Sequence, residues 1–245
     1  MKNNINISII IPCYNEEKRL QVHQFIQFLI ENKNYTFLFV NDGSTDNTWA
    51  FLQKCAEKNE RFYTFNLEKN CGKAEAVRKG MLHAAENYEC DLIGFWDADL
   101  ATPLNELPNF ISILQHQDFD IVTGLRLMRL GAKVKRKNSR HYLGRVFATT
   151  ASKILKLPVY DTQCGAKLYK KQIVQPLFEC KFITKWLFDV EILSRYILLF
   201  GRDIAVKKIY EYPVFQWEDV GGSQLKAKDF LKAPMELWKI KRKYF

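Results

Sequence analysis

Apolar residues along this chain come in two rhythms. Short, nearly unbroken apolar runs occur at INISIII (5–11), YTFLFVN (35–41), RFYTFNL (61–67), DLIGFW (91–96) and FDIVTG (119–124). They are rich in β-branched and aromatic residues, too short for a core helix, and end at polar or turn-forming positions. That pattern predicts five buried strands. Between the runs, apolar positions recur every three or four residues. This spacing predicts helices near 17–31, over 47–59, within 70–88 and across LNELPNFISILQ (104–115). DGSTDNT supplies turn and capping residues ahead of the second helix. Strands that alternate with helices build βαβ units, so the predicted fold class is α/β, a mainly parallel sheet flanked by helices. No internal repeat, low-complexity tract or linker breaks the pattern, and a single domain over 1–245 is expected.

The periodicity then changes. SRHYLGRVFATTASKILKL (139–157) puts Leu143, Val146, Phe147, Thr150, Ala151, Ile154 and Leu155 on one helical face, with Arg140, Arg145, Lys153 and Lys156 elsewhere and Pro158 as a stop. Packing on the sheet and contact with a membrane surface both suit such a face. The ILLF run (197–200) reads as core helix.

Composition narrows the class. Of 245 residues, 47% are hydrophobic and 14% aromatic, enough for a sizeable core and unlike a disordered chain. No run of about 18 apolar residues occurs, so no transmembrane helix is predicted. The opening MKNNINISIII reads as a strand and not as a signal peptide. Six cysteines, at 13, 55, 71, 90, 164 and 180, form no C-x-x-C pair. That argues against a zinc site or a disulfide framework and for a reduced, cytoplasmic protein.

Charge adds a partner class. The formal net charge is +10, and ten Lys/Arg with no acid lie between Asp120 and Asp161. The stretch LKAKDFLKAPMELWKIKRKYF (225–245) is basic again. Such a field suits nucleotide phosphates, a phosphorylated acceptor or an anionic membrane surface, or it is a solvated basic face. Nucleic acid is not expected, because the basic segments carry no DNA- or RNA-binding motif and an acidic rim elsewhere repels phosphate unless a metal binds.

That rim is where chemistry concentrates. In a parallel α/β sheet, ligands bind beyond the carboxyl ends of the strands. The predicted strands end in or lead to Pro12-Cys13-Tyr14-Asn15-Glu16-Glu17, Asn41-Asp42-Gly43-Ser44, Asn70-Cys71-Gly72-Lys73 and Asp97-Ala98-Asp99. If the chain stays extended past Trp96, Asp97 and Asp99 lie on the same side. Two such carboxylates repel, and a divalent cation relieves the conflict. Hard oxygen ligands suit Mg²⁺ or Mn²⁺, which bind substrate phosphates; a strand end capped by aspartate is the plain alternative. His23, His83, His116 and His141 show no ligand spacing and read as packing or surface residues. Trp96 reads as packing beneath the site, Trp186 as core or pocket lining, and Asn15 and Ser44 as turn residues.

In order and spacing, SIIIPCYNEE, VNDGSTDNT, NCGKAEAVRKG and DADLATP resemble family 2 glycosyltransferases of the nucleotide-diphosphosugar transferase (GT-A, Rossmann-like) fold. DTQCGAKLYKK (161–171), KWLFDVEIL (185–193) and VGGSQLK (220–226) are similar to the dolichyl-phosphate β-glucosyltransferase branch, with dolichyl-phosphate mannose synthases as near relatives. The resemblance implies roles for particular residues. Pro12, Tyr14 and Glu16 would hold the base and ribose, with Asp42 on the nucleobase. Gly72 and Lys73 would lie beside the nucleotide. Asp97 would sit near the ribose and donor sugar, and Asp99 would be the principal metal ligand. Arg126 and Arg140 would lie near the diphosphate or the acceptor phosphate. Gln163 and Cys164 would line the donor-sugar pocket, and Asp189 with Glu191 would be the acidic pair that holds a base, Asp189 being the candidate. Ala101 stands where mannose synthases usually carry glutamine, which favours the glucosyltransferase branch.

The implied activity is inverting transfer of a hexose, glucose first. The donor would be a nucleoside diphosphate sugar, UDP-glucose first, and the acceptor a polyprenyl or dolichyl phosphate, with Mg²⁺ or Mn²⁺ as cofactor. The alternative is a family 2 enzyme acting on a glycan acceptor in polysaccharide or lipopolysaccharide synthesis. Residues 1–125 would form the nucleotide-binding half and 126–245 the acceptor-binding half. The enzyme would be cytoplasmic, peripheral on the cytoplasmic face of a membrane.

Overall fold

The computed structural model describes residues 5–135, 138–220 and 227–245, with the side chains of 138–143 and 227–231 outside that description. In chain order the elements are β1 (Ile7–Cys13), α1 (Val22–Glu31), β2 (Tyr35–Asp42), α2 (Thr48–Glu57), β3 (Phe62–Leu67), α3 (Lys73–Asn87), β4 (Leu92–Trp96), α4 (Leu107–His116), β5 (Ile121–Leu125), β6 (Lys133–Lys135), α5 (Asn138–Leu155), β7 (Ala166–Lys170), α6 (Val174–Phe178), α7 (Phe188–Phe200), α8 (Arg202–Lys208), β8 (Ile209–Pro213), β9 (Gln216–Glu218) and α9 (Ala227–Tyr244). All five expected strands form, within two residues of their expected ends. The chain makes two compact units. One runs to Leu100 and adds Ala166–Lys181; the other comprises Ala101–Gly165 and Phe182–Phe245.

In the first unit the strands lie in the order β3-β2-β1-β4-β7. β1 is parallel to β2, from Ile7 opposite Tyr35 to Cys13 opposite Asn41, and parallel to β4, from Ile7 opposite Leu92 to Ile10 opposite Phe95. β7 runs antiparallel beside β4, with Ala166 opposite Trp96. The central strands are buried on both faces: Ile9, Ile10, Ile11, Phe37, Phe39 and Phe95 are closed to solvent. This is why they read as continuous apolar runs, as strands covered on both sides do. β3, at the edge, is buried only at its ends, Phe62 and Leu67. α3 packs so close to β1 and β2 that a Cβ at Gly80 would lie 2.7 Å from Ile10 Cγ2 and 2.8 Å from Val40 Cγ2. Glycine there lets the helix approach.

In the second unit β5 pairs with β8 and β6 with β9, both parallel. α4 opens with Pro108 in its first turn, where a missing N–H costs nothing. α5 forms as expected, but its buried side is Ala148, Ala151 and Leu155; Val146 and Thr150 face solvent. The apolar stripe is therefore offset from the expected face, and the Thr149 and Thr150 hydroxyls donate back to the carbonyls of Arg145 and Val146. The ILLF expectation is also corrected. Ile197 is buried, but Leu198, Leu199 and Phe200 are exposed, because the covered part of α7 stops one turn short of its end at Gly201. No helix among the described residues is long and apolar enough to cross a membrane.

Candidate active site

In the first unit, the loops that follow β1, β2, β3 and β4 carry the expected rim, and hydrogen bonds between loops hold it in shape. Thr48, at the start of α2, accepts on its Oγ1 from the Glu16 amide at 2.8 Å and the Glu17 amide at 3.0 Å. Ser44 Oγ accepts from the Asn15 amide at 3.0 Å, and Asn15 Oδ1 accepts from the Thr45 amide at 2.9 Å. Asn15, with φ of 54°, and Ser44 are thus more than turn residues; they tie the first loop to the second. Instead of α1, the expected helical start near residue 17 forms a separate turn, in which the Arg19 and Leu20 amides both donate to the Glu16 carbonyl at 2.9 Å, and α1 begins at Val22.

Asp42 closes the next gap. Its two carboxylate oxygens accept from the Cys71 amide at 2.7 Å and the Gly72 amide at 2.8 Å. Burial pushes its carboxyl above the usual range, while those two amide bonds pull it back. Gly43, at φ of +60°, lies so close to the third loop that a Cβ would meet Asn70 N and the Lys69 carbonyl carbon at 2.3 Å. Gly72, at φ of +90°, caps α3 and leaves open space where a side chain would stand. Lys73, the first residue of α3, sets its ammonium directly against Asp97 Oδ1.

Past Trp96 the chain does not stay extended. The Leu100 amide donates to the Asp97 carbonyl at 3.1 Å, closing a turn over 97–100 with Leu100 at φ of 52°. The expectation that Asp97 and Asp99 share a side by strand alternation is corrected here; the turn, not the pleat, sets their directions. Ala98 and Leu100 are buried, and Asp97 and Asp99 are half-exposed. Glu16 senses both. Burial pushes its carboxyl up, Arg19 draws it down, and Asp99, Asp46 and Asp97 push it up further. Among the described residues Glu16 Oε2 is buried with no hydrogen-bond donor, its nearest cation being Arg19 Nε at 3.4 Å. Pro12 and Tyr14 are half-buried at the same end of β1.

This carboxylate-rich corner fits a divalent cation. No group of three or more His, Cys, Asp or Glu among the described residues is arranged to hold a metal by protein alone. Asp97 and Asp99 can supply one or two ligands, which is how Mg²⁺ is held where phosphates and water complete the shell. The Lys73 ammonium on Asp97 shows that the corner favours positive charge. His83 stays out of it: it stacks on Phe65 at 4.6 Å, and burial draws its pKa down.

In the second unit, Arg126 follows β5 and is held from two sides. Its Nε and Nη2 donate to Asp161 at 2.6 and 2.7 Å, and its guanidinium lies 5.3 Å from the Trp217 ring centre. Asp161 is itself fixed by Glu211, which accepts from the amides of Tyr160 and Asp161. Asp161 and Glu211 lie far apart in sequence and were not singled out from it, since only the fold brings them to Arg126. Gln163 donates its amide to Asp161 Oδ1, while its buried Nε2 has no acceptor among the described residues. Cys164 is fully buried, its sulfur 3.9 Å from the Thr102 hydroxyl. Asp189, in the first turn of α7, is buried. Glu191, also buried, is no free base. It accepts from the Ile183 and Thr184 amides, Arg195 and Tyr244. Trp186 packs against Phe147 at 5.7 Å. Arg140 lies in the first turn of α5 with its side chain outside the described residues; VGGSQLK lies outside them apart from Val220.

The sequence matches the Glycosyl transferase family 2 profile over residues 8–178. It is 30% identical to a dolichyl-phosphate beta-glucosyltransferase of Trichomonas vaginalis, covering 97% of this chain and 71% of that protein. It is also 30% identical to the Saccharomyces cerevisiae dolichyl-phosphate beta-glucosyltransferase, over 98% and 75%. Among solved structures, glucosyl-3-phosphoglycerate synthase of Mycobacterium tuberculosis superposes with a TM-score of 0.69 at 14% identity, covering 97% of this chain and 81% of that one. The same enzyme in complex with Mn²⁺, UDP-glucose and phosphoglyceric acid gives 0.67 at 15%, over 97% and 80%. The fold is therefore the nucleotide-diphosphosugar transferase (GT-A) fold.

Proposed function

This chain belongs to glycosyl transferase family 2, and from that premise we propose that it transfers glucose, with inversion, from UDP-glucose to a polyprenyl phosphate of the dolichyl type. One observation carries the reading: the similarity to dolichyl-phosphate beta-glucosyltransferases spans nearly the whole chain, including the second unit. The donor choice also draws on the UDP-glucose and Mn²⁺ bound by the structural neighbour.

The chain's own residues then take these tasks. The stitched loops around Asn15, Ser44 and Thr48 hold Pro12, Tyr14 and Glu16 in one place for the nucleoside. Asp42 keeps the third loop against the second, so that the open face of Gly72 admits the nucleotide. Lys73, released from Asp97, lays its charge along the diphosphate. Asp99, with Asp97, would hold Mg²⁺ or Mn²⁺. Such an ion neutralises the charge that develops on the departing nucleoside diphosphate. Arg126, fixed by Asp161, presents its charge to a phosphate without having to be ordered first. The buried amide of Gln163 is suited to a sugar hydroxyl.

An acceptor phosphate is largely dianionic near neutrality, its second pKa being about 6. It can attack the anomeric carbon without a base, which leaves Asp189 to orient acceptor or sugar. A hydroxyl acceptor would instead need a base to take its proton. The test compares UDP release from UDP-glucose with a short polyprenyl phosphate and with the matching polyprenol. Release with the phosphate and none with the alcohol supports the reading. Equal release with both, or release only with a glycan, contradicts it.

A further inference from the structure

The second unit carries an apolar face that its own packing leaves open. Leu198, Leu199 and Phe200 end α7, Ile204 and Val206 lie on α8, and Trp238 and Phe245 lie on and just past the last turns of α9. All seven are exposed, Leu198 by 64%, Trp238 by 56% and Val206 by 53%. Two contacts bring these segments together. The Arg202 guanidinium lies 5.5 Å from the Phe245 ring, and Arg195 Nε donates to the Tyr244 hydroxyl at 3.2 Å, so the end of α9 lies beside the α7–α8 junction. Single exposed apolar residues need no explanation; a grouped set of them does.

The charge around the set says what covers it. Arg202, Lys207, Lys208, Lys239, Lys241, Arg242 and Lys243 lie on the same segments, against Asp203 and a half-buried Glu236 that accepts from the Leu187 amide. Lys208 is paired with Asp118, and Arg242 stands over the Trp238 ring at 5.5 Å. A second copy of the chain on this face would set like charge against like. A surface that is both apolar and negatively charged complements it.

We propose that this face docks on an anionic lipid bilayer. Leu198, Leu199 and Phe200 enter the headgroup boundary, where amphipathic surfaces bury about 5–10 Å deep, with Ile204 and Val206 on the two flanks of α8 either side of the buried Ala205. The Lys and Arg side chains reach lipid phosphates, their stems lying along the apolar surface. Trp238 sits at the depth that indole rings favour. The choice of a lipid partner rests on the polyprenyl phosphate reading above; the face itself does not. It also moves membrane contact away from α5, whose solvent side carries only Val146 as a large exposed apolar group among the described residues.

The test uses the full chain with vesicles of phosphatidylcholine, alone or with phosphatidylserine, containing no polyprenyl phosphate and no nucleotide sugar. The chain pellets with the anionic vesicles and not the neutral ones, with a blue shift in tryptophan emission that Trp238→Phe removes. Lys241→Glu/Arg242→Glu/Lys243→Glu lowers apparent affinity by about tenfold or more, as does Leu198→Ser/Leu199→Ser. These side chains are exposed, and thermal melts confirm that each variant folds. Pelleting that neither charge reversal nor serine replacement weakens overturns the inference, and so does dimerisation through this face without vesicles. Turnover of a dispersed short-chain acceptor without vesicle binding overturns the docking alone; vesicle binding without lipid-linked sugar overturns the functional reading alone.

Discussion

Glu16 shows how far one residue's chemistry can be read. Its place after the first strand is plain in the sequence, but its burial and the push from Asp99 and Asp97 exist only in the fold. A carboxyl whose folded pKa is raised is penalised when ionised. The penalty is absent below its ordinary value of 4.5 and grows as pH rises through the raised value. Glu16→Gln removes it. The variant should therefore melt higher than the parent at about pH 7 and lose that advantage at about pH 4, as paired thermal melts would record. An advantage that is equal at both values would show that Glu16 is not held in this environment. Asp97, Asp99, Gly72 and Lys73 were legible because their motifs are local. Asp161 and Glu211 were not, because their contacts with Arg126 and Tyr160 cross 35 and 51 residues.

At the scale of elements, apolar runs found the strands because a strand buried on both faces has no polar alternate to hide it. Amphipathic helices were found less well. In α5 the expected stripe was misplaced, since Thr150 and Val146 are small or apolar enough to suit either side. In α7 the apolar sequence runs on past the last covered turn. What anchors α7 is Glu191, a residue the sequence offered as a possible base. Its carboxylate gathers the 183–184 amides, Arg195 and the Tyr244 hydroxyl, and burial with that contact pushes the hydroxyl's pKa up to about 12. Glu191→Ala removes the carboxylate that the buried Arg195 Nη2 meets at 2.9 Å, and breaking a buried ion pair from one side typically costs about 3–5 kcal/mol. Chemical denaturation should show a loss of that order; a loss below about 1 kcal/mol would mean the cluster holds nothing together.

At the scale of the whole molecule, the order of strands and helices was enough for the α/β class, and the GT-A fold followed from four motifs in sequence. The expected halves, 1–125 and 126–245, meet at one point, whereas the chain returns from Ala166 to Lys181 to complete the first compact unit and no linker marks either crossing. The central claim concerns the reaction itself, and a single measurement addresses it. The purified chain is incubated with UDP-glucose, GDP-mannose, Mn²⁺ and a short polyprenyl phosphate, and the lipid product is weighed by mass spectrometry and its anomeric bond assigned. The account predicts a lipid phosphate carrying one glucose in β linkage, drawn from UDP-glucose and absent with Asp99→Ala. A mannosylated or α-linked product, or a product undiminished by Asp99→Ala, would contradict it.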